Sequence, residues 1–272
     1  MVKIGLIIDN YHLEKKVMQF LEYCRNIAEV SIYVEEEYLL DFSGNKFNED
    51  IFFAKAKGDL VLSIVKLIEE STQIPVINSS KGIFLAFNRF LNSVLLRKAG
   101  INIPDFCLLP LGLMPPFKEY IIKNIIDQKN YSFNPKINKE EGNLKVIDIR
   151  ALEEAEGINA KYNHLYYQEF IKSKWEYKIY TIGEELYFFK QLPILVNPDK
   201  MKSRTEIPNI PEIAEMAHKA THILDLEISS IDFLKSKEGI YYLTDINSSP
   251  NFNYLKNGPQ IVGDYLISRA KR

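Results

Sequence analysis

Cysteine is scarce in this chain of 272 residues, which contains only Cys24 and Cys107. Two cysteines are too few for a disulfide framework or for a cysteine-based zinc site. Both lie in apolar surroundings, and neither has a histidine at the spacing of a thiol-nucleophile motif. The low cysteine content therefore favours a reduced, cytoplasmic setting and gives little support to thiol catalysis.

An excess of positive charge is also missing, because 34 Lys and Arg residues stand against 36 Asp and Glu residues. Proteins that bind nucleic acids usually carry a basic excess, so we expect no nucleic acid as an obligatory partner. Long apolar runs are absent near the start, where the first run ends at Asp9. This run is too short for a signal peptide or a membrane span, and we expect no membrane partner.

Glycine is missing where a dinucleotide site would need it. The turn after the first apolar run, residues 9–12, contains no glycine, whereas dinucleotide sites use a glycine-rich turn at this place. The chain has no P-loop either. The sequence therefore argues against an NAD site and against a P-loop nucleotide site.

The first hundred residues alternate between strand and helix signals. Apolar runs predict strands at 2–8, 30–34, 59–65 and 74–80, while helical spacing of apolar residues predicts helices at 13–24 and 81–99. A short helix is predicted between the third and fourth strands. Gly100 is a plausible end of the second long helix. This alternation predicts an α/β domain with a largely parallel sheet.

The pattern changes after residue 106. Strands are predicted at 120–123, 143–149 and 165–171, with a polar loop at 128–142. Clean alternation predicts an antiparallel pair at 176–182 and 187–192, and a helix follows at 211–224. Two further strands are predicted, joined by a turn at 235–239. The second of them ends in Asp245, Ile246 and Asn247.

This last hairpin carries the most informative side chains. Asp245 and Asn247 are two residues apart on a strand, so their side chains share one face, and the hairpin places Asp232 beside them. Two carboxylates and a carboxamide oxygen suit Mg²⁺, which prefers oxygen ligands and is often completed by water and nucleotide phosphates. The alternative is a solvated hairpin whose carboxylates cap turns.

Two cations and one extended segment extend the hypothesis. Arg89 lies in an apolar segment and Lys123 ends an apolar strand, where a charge must find an anion or reach solvent. Residues 166–171 form an extended segment whose backbone could pair with an adenine edge; an ordinary strand is the alternative. His218 and His222 lie opposite the apolar face of their helix, which indicates a solvated pair instead of a metal site.

Taken in order, these features resemble the ATP-grasp superfamily over most of the chain. The matching segments are 76–104, 120–123, 168–171, 176–183, Asp232 and 245–247, with Arg89 where the family usually has lysine. The resemblance implies an α/β fold, α+β in the ATP-binding part. Its N-terminal parallel α/β domain with a linker helix would span 1–100, its central ATP-binding subdomain 101–170, and its C-terminal antiparallel-sheet subdomain 171–272.

The resemblance also implies a cofactor and a set of site residues. We expect ATP with Mg²⁺, or Mn²⁺ in its place. The implied nucleotide-binding residues are Arg89, Lys123, Gln168, Glu169, Phe170, Ile171 and Glu176, the metal ligands are Asp232, Asp245 and Asn247, and the catalytic residues are Lys178, Lys190 and Arg204. The acceptor site would lie between residues 9–10 and 78–80 on one side and the loop 248–256 on the other.

The branch that the chain is most similar to is that of the RimK-like amino-acid ligases, including the LysX type. Such a ligase would join a small-molecule carboxylate to an amine through an acyl phosphate, and it would form a homodimer or homotetramer. Lys178 and the Asp-Ile-Asn form are also similar to inositol polyphosphate kinases of this fold. The family's glycine-rich loop corresponds here to 124–137, which has no glycine, so a nucleotide-binding protein with degenerate catalysis is a third alternative.

Overall fold

The N-terminal part contains a four-stranded parallel sheet. The computed structural model describes residues 1–35, 37, 47–56, 58–110, 113–126, 138–140, 143–145, 164–193 and 200–271. The strands are β1 (Val2–Ile8), β2 (Ala28–Val34), β3 (Ile51–Lys55) and β4 (Val76–Ile77), in the order β2-β1-β3-β4. The helices between them are α1 (Asn10–Lys16), α2 (Met18–Ile27) and α3 (Asp59–Ser71). The predicted parallel α/β domain is therefore confirmed.

One predicted strand of this domain was wrong. Residues 59–65 belong to helix α3, and the strand lies earlier, at β3. The buried positions of α3 are Val61, Ile64, Val65 and Ile68, which follow the helical spacing i, i+3, i+4 and i+7. A short, nearly continuous apolar run does not distinguish a strand from a buried helix, and here the helix forms.

The helix predicted at 81–99 is two helices, α4 (Ser80–Phe87) and α5 (Arg89–Lys98). Asn88 separates them, and its side chain accepts a hydrogen bond from the backbone N–H of Leu91, 3.0 Å away. A side-chain oxygen that caps a new helix start satisfies a backbone donor that the helix itself leaves without a partner. Arg89 consequently lies in the first position of a helix.

The middle of the chain forms a three-stranded antiparallel sheet of β5 (Phe106–Pro110), β6 (Tyr120–Lys123) and β9 (His164–Glu169), in the order β5-β9-β6. Strands β7 (Asn138–Glu140) and β8 (Asn143–Lys145) pair separately. The strand predicted at 143–149 is thus seen at its start, and its remainder lies outside the described residues, as does most of the predicted loop 128–142.

The last part contains a five-stranded antiparallel sheet. Its strands are β10 (Glu176–Ile182), β11 (Glu185–Gln191), β12 (Thr205–Glu206), β13 (Ile228–Lys235) and β14 (Tyr241–Asn247), in the order β12-β11-β10-β13-β14. Helix α6 (Pro211–Leu224) and helix α7 (Gly258–Ala270) accompany it, with short 3₁₀ helices at Lys200–Ser203 and Phe252–Tyr254. The four-stranded, three-stranded and five-stranded sheets each fall within one of the three predicted ranges, and the β7-β8 pair also lies within the central range. The boundaries of the three ranges remain a prediction.

Both faces of this sheet are covered for part of its length. One face packs on α5 and α6 through Ile179, Ile231 and Phe233, and the other contributes Tyr180 and Phe189 to the core around β1, β3 and α7. The buried side of α6 excludes His218 and His222, as predicted. None of the described helices is long and apolar enough to cross a membrane.

The first and last parts of the chain lie very close to each other at Gly82. A Cβ atom added to Gly82 would lie 2.1 Å from the backbone oxygen of Asp225. Alanine normally stabilises a helix by about 1 kcal/mol relative to glycine, but overpacking costs about 1–3 kcal/mol.

We therefore expect Gly82→Ala to lower the free energy of unfolding, measured by urea denaturation. Lys81→Ala, on the exposed side of the same helix, is the control and should change it little. A stabilised Gly82→Ala protein would contradict the close approach.

Candidate active site

Two carboxylates face each other on neighbouring strands near one end of the C-terminal sheet. Asp232 on β13 lies directly opposite Asp245 on β14, next to an irregularity in the register between Asp232 and Phe233. Asn247 follows Asp245 by two residues and lies opposite Ser230, so its side chain belongs to the same face. The predicted hairpin thus brings the three proposed metal ligands together.

Three cations from three different parts of the chain meet at this hairpin. Lys178 on β10 is directly opposite Asp232, and its Nζ lies 2.6 Å from Asp232 Oδ1. The Nε atom of Arg89 lies 3.6 Å from Asp245 Oδ1. Lys123, at the end of β6, donates to the backbone oxygen of Thr244 at 2.8 Å. Lys178 belongs to the same sheet as the two carboxylate strands, whereas the contacts of Arg89 and Lys123 join helix α5 and the central sheet to them.

Arg89 and Lys123 are also fixed relative to each other. The backbone N–H of Arg89 donates to the oxygen of Ile125 at 2.8 Å, and its Nη1 donates to the oxygen of Asn124 at 3.0 Å. Both acceptors directly follow β6. The start of α5 and the end of β6 therefore form one cationic unit that faces the carboxylates.

The charges are partly buried, which strengthens their interaction. The side chains of Lys178 and Asp232 are 15% and 16% exposed, while Asp245 is 35% exposed. Burial lowers the pKa of Lys178, but the attraction of Asp232, together with the smaller effects of Tyr180 and Glu176, outweighs burial, and the pKa is raised above its usual value. Lys178 therefore remains an ammonium at neutral pH.

The donor set fits a hard cation such as Mg²⁺. Both carboxylates and the Asn247 carboxamide present oxygen, the donor that Mg²⁺ prefers. Oδ1 of Asn247 accepts the N–H of Ser249 at 2.8 Å, and an amide oxygen has a second lone pair. Among the described residues no group of three His, Cys, Asp or Glu side chains could hold a metal by itself. The site would thus depend on the carboxamide and on oxygens supplied from outside.

A polar network on the same face links two other predicted site residues. The buried carboxylate of Glu176 accepts a hydrogen bond from the Gln191 amide, whose Oε1 accepts from Arg204 Nε at 2.6 Å. Arg204 Nη1 donates to the Tyr180 hydroxyl at 3.1 Å. Burial raises the pKa of Tyr180 despite the nearby Lys178 and Arg204, so this hydroxyl is neutral.

Gln191 was missed by the sequence analysis. Its register opposite Glu176 in the predicted antiparallel pair is the signal that would have found it. Glu176 and Arg204, for which nucleotide-binding and catalytic roles were predicted, are joined through it.

Lys190 is not brought to this cluster. Gln191 shares a face with Glu176, so its neighbour Lys190 points to the opposite face. There its Nζ lies 5.1 Å from the centre of the Trp175 ring. The alternation of side chains along β11 separates Lys190 from Lys178 and Arg204, and it therefore has no place in the mechanism below.

The predicted adenine-binding segment lies at the end of β9. Gln168 is buried and donates to the Tyr166 hydroxyl at 3.3 Å. The N–H groups of Glu169 and Phe170 already donate to the backbone oxygens of Asp105 and Glu119. The Glu169 side chain is exposed, and Phe170 and Ile171 are half-buried. A nucleotide role for these four residues stays a prediction.

One buried charge near the site escaped the sequence analysis. Lys55 ends β3, is fully buried, and donates to the backbone oxygen of Pro250. The signal was an apolar run that ends in lysine, the same signal that singled out Lys123. It was missed because the strand was placed at 59–65.

The surroundings of the two cysteines disfavour a thiolate. Burial raises the pKa of Cys24 to about 12, so its thiol stays protonated at neutral pH. Burial also raises the pKa of Cys107. These raised pKa values agree with the little support that the sequence gives to thiol catalysis.

Solved structures share this fold over nearly the whole chain. D-alanine–D-alanine ligase from Bacillus anthracis, complexed with ATP, superimposes with a TM-score of 0.72 at 15% identity, covering 100% of this chain and 98% of that one. A RimK domain ATP-grasp protein from Sphaerobacter thermophilus gives 0.70 at 12% identity, covering 98% and 100%.

The ATP-grasp ligase PsnB, complexed with a minimal precursor, Mg and ADP, also gives a TM-score of 0.70, at 14% identity, covering 98% and 97%. No protein-family model matches the sequence. No curated protein matches it either. The structural likeness shows that the chain has the ATP-grasp fold predicted from its sequence.

The ion pair of Lys178 and Asp232 should contribute measurably to stability. We expect Lys178→Met to lower the free energy of unfolding by more than about 1 kcal/mol, the upper range for exposed pairs, because this pair is largely buried. Lys190→Met, a change of the same residue type on the other face, should cost less. Urea denaturation at pH 7 measures both.

The pH dependence gives a second check. A raised lysine pKa stabilises the fold fully below the pKa of the unfolded chain, about 10.4, and this contribution is lost as pH rises through the folded pKa. The difference between wild type and Lys178→Met should therefore hold from neutral pH to about pH 9 and shrink above about pH 10.5. A difference that does not change across this range would contradict the ion pair.

Proposed function

We propose that this protein is an ATP-dependent ligase that joins a carboxylate to an amine. One observation carries the proposal: Asp232 and Asp245 face each other on adjacent strands of an ATP-grasp fold, and three cations gather there. Lys178 pairs with Asp232, Arg89 with Asp245, and Lys123 contacts the backbone oxygen of Thr244 beside them. A metal-bound triphosphate requires fixed cations that contact its phosphate oxygens and oxygen donors that hold its metal ion.

The charges of the cluster define what each residue does. Arg89 and Lys123 would contact the phosphates, since both lie where the start of α5 meets the end of β6. Asp232, Asp245 and Asn247 would hold Mg²⁺, or Mn²⁺ in its place. The metal ion, when bound, neutralises phosphate charge and draws electrons away from the γ-phosphorus. Lys178 keeps Asp232 in place and adds positive charge beside the phosphates.

The reaction needs positioning and charge stabilisation but no protein nucleophile. A carboxylate oxygen of the first substrate attacks the γ-phosphorus, the bond to the bridging oxygen breaks, and ADP leaves. The nitrogen of the amine then attacks the carbonyl carbon of the resulting acyl phosphate. Inorganic phosphate leaves, an amide forms, and the amine proton passes to solvent.

Arg204 is the residue that would stabilise the charge on the reacting carbonyl. Its guanidinium is held by Gln191 and Tyr180, and its Cζ lies 4.8 Å from the centre of the Tyr254 ring. Tyr254 belongs to the loop that the sequence analysis assigned to the acceptor site. Arg204 therefore lies between the polar network of the sheet and the proposed acceptor loop.

The substrates are proposed as a class: a small carboxylate and an amine, such as that of an amino acid. Support comes from the structural neighbours, which include ligases complexed with ATP or with ADP and Mg, and a D-cycloserine synthetase. Others are described as complexed with a precursor peptide or with a leader and core peptide. A peptide as the carboxylate donor is therefore included in the test.

The activity is tested by following ADP and phosphate while carboxylates, peptides and amines are offered singly and in pairs with Mg-ATP. The proposed reaction releases phosphate only when both a carboxylate and an amine are present, and mass spectrometry then finds an amide with the loss of one water. A phosphorylated alcohol in the same mixtures would establish a kinase instead. No ATP-dependent stabilisation and no turnover across the panel would reject both enzymes.

Asp245→Asn tests the role of the carboxylate pair. Outer-shell partners of a metal typically contribute about 10–100-fold to activity, and a direct ligand should contribute more. We expect Asp245→Asn to reduce kcat by more than 100-fold while the thermal unfolding temperature changes little, because Asp245 is 35% exposed. Glu212→Gln, an exposed carboxylate on α6, is the control. Wild-type turnover in Asp245→Asn would reject the metal assignment.

A further inference from the structure

The N-terminal sheet holds the three residues that follow Asn247. Asn78, directly after β4, is fully buried, and its Nδ2 donates to the backbone oxygens of Ser248 at 2.8 Å and Ile228 at 2.7 Å. Its Oδ1 accepts the N–H groups of Glu227 at 2.8 Å and Ile228 at 2.9 Å. The whole hydrogen-bonding capacity of this amide is thus used on the ends of β13 and β14.

Lys55 at the end of β3 holds the next two residues. Its Nζ donates to the backbone oxygen of Pro250, lies 3.4 Å from Ser249 Oγ, and lies 5.0 Å from the centre of the Phe252 ring. A buried ammonium is costly unless it is well satisfied, so these contacts constrain where the loop lies. The carboxyl ends of β3 and β4, two adjacent parallel strands, therefore hold residues 248–250 from one side.

These contacts with residues 248–250 bear on the orientation of the Asn247 carboxamide. Oδ1 of Asn247 accepts the backbone N–H of Ser249 at 2.8 Å. Ser249 lies between Ser248, which Asn78 holds, and Pro250, which Lys55 holds. If the loop shifted, the donor on Ser249 would shift with it, and the orientation of the Asn247 carboxamide would change.

We propose that Lys55 and Asn78 are positioning residues for the cation site, through which the N-terminal sheet aims the Asn247 oxygen at the ion held by Asp232 and Asp245. The inference rests on the metal assignment within the proposed function, but not on the identity of the reaction. It makes the N-terminal sheet part of the catalytic machinery and not merely a neighbour of it. Neither residue contacts the ion.

The test measures Mn²⁺ binding to the full-length protein with ATP present, by electron paramagnetic resonance of free Mn²⁺. Lys55→Met replaces the buried ammonium with an apolar side chain of similar length. We expect its dissociation constant for Mn²⁺ to rise about tenfold or more, the range for outer-shell partners. Lys66→Met, which removes an exposed lysine of α3, should leave the constant unchanged.

Asn78→Asp is the second variant, because it keeps the acceptor for the N–H groups of Glu227 and Ile228 but can donate to neither the Ser248 nor the Ile228 oxygen. It should weaken Mn²⁺ binding in the same direction. Thermal unfolding is recorded for each variant, since a purely structural role would lower the unfolding temperature without changing the Mn²⁺ constant of the folded protein. That result for Lys55→Met, which does not depend on Asn78→Asp folding, would overturn the proposal.

The two proposals fail differently. If wild type binds Mn²⁺ but ligates nothing, the ligase function is rejected, and the Lys55→Met comparison still decides the positioning role. If wild type binds no Mn²⁺ with ATP, the metal assignment and the positioning role are both overturned.

Discussion

The facing of Asp232 and Asp245 is the constraint on which the rest of the site depends. Two carboxylates on adjacent strands repel each other, so the fold must supply positive charge close to both. It does so with Lys178 from the same sheet and Arg89 from the start of α5. Besides the phosphate contacts proposed above, the cations therefore have a structural role, because they offset the repulsion between the two carboxylates.

Residues from all three sheets meet around this hairpin. Lys123 comes from the central sheet, Lys178 from the C-terminal sheet, and Lys55 and Asn78 from the N-terminal sheet. Polar side chains at strand ends can reach a neighbouring sheet, whereas those in mid-strand are confined to one face. Lys55, Lys123 and Asn78 lie at or just after strand ends, and each donates to a backbone oxygen in another part of the chain. Lys178 instead pairs with Asp232 within its own sheet.

Features that depend on residues close together in the chain were predicted correctly more often than features that do not. Pro211–Leu224 was predicted to the residue because its apolar spacing and its proline are local. The proximity of Asp232 to Asp245 and Asn247 was predicted because a hairpin folds its second strand back beside its first. Their direct pairing depends on the irregularity between Asp232 and Phe233, which the sequence did not indicate. The strand placed at 59–65 failed because a short apolar run has no clear period, and with it the analysis missed Lys55.

The sequence by itself determined the fold class and the donor types of the site, because periodicity, turns and residue chemistry act over a few residues. Only the tertiary structure decided which charges meet: it brought Arg204 to Gln191 and placed Lys55 against Pro250. These contacts join residues far apart in the chain, and their geometry follows from sheet register and packing, which no local pattern encodes.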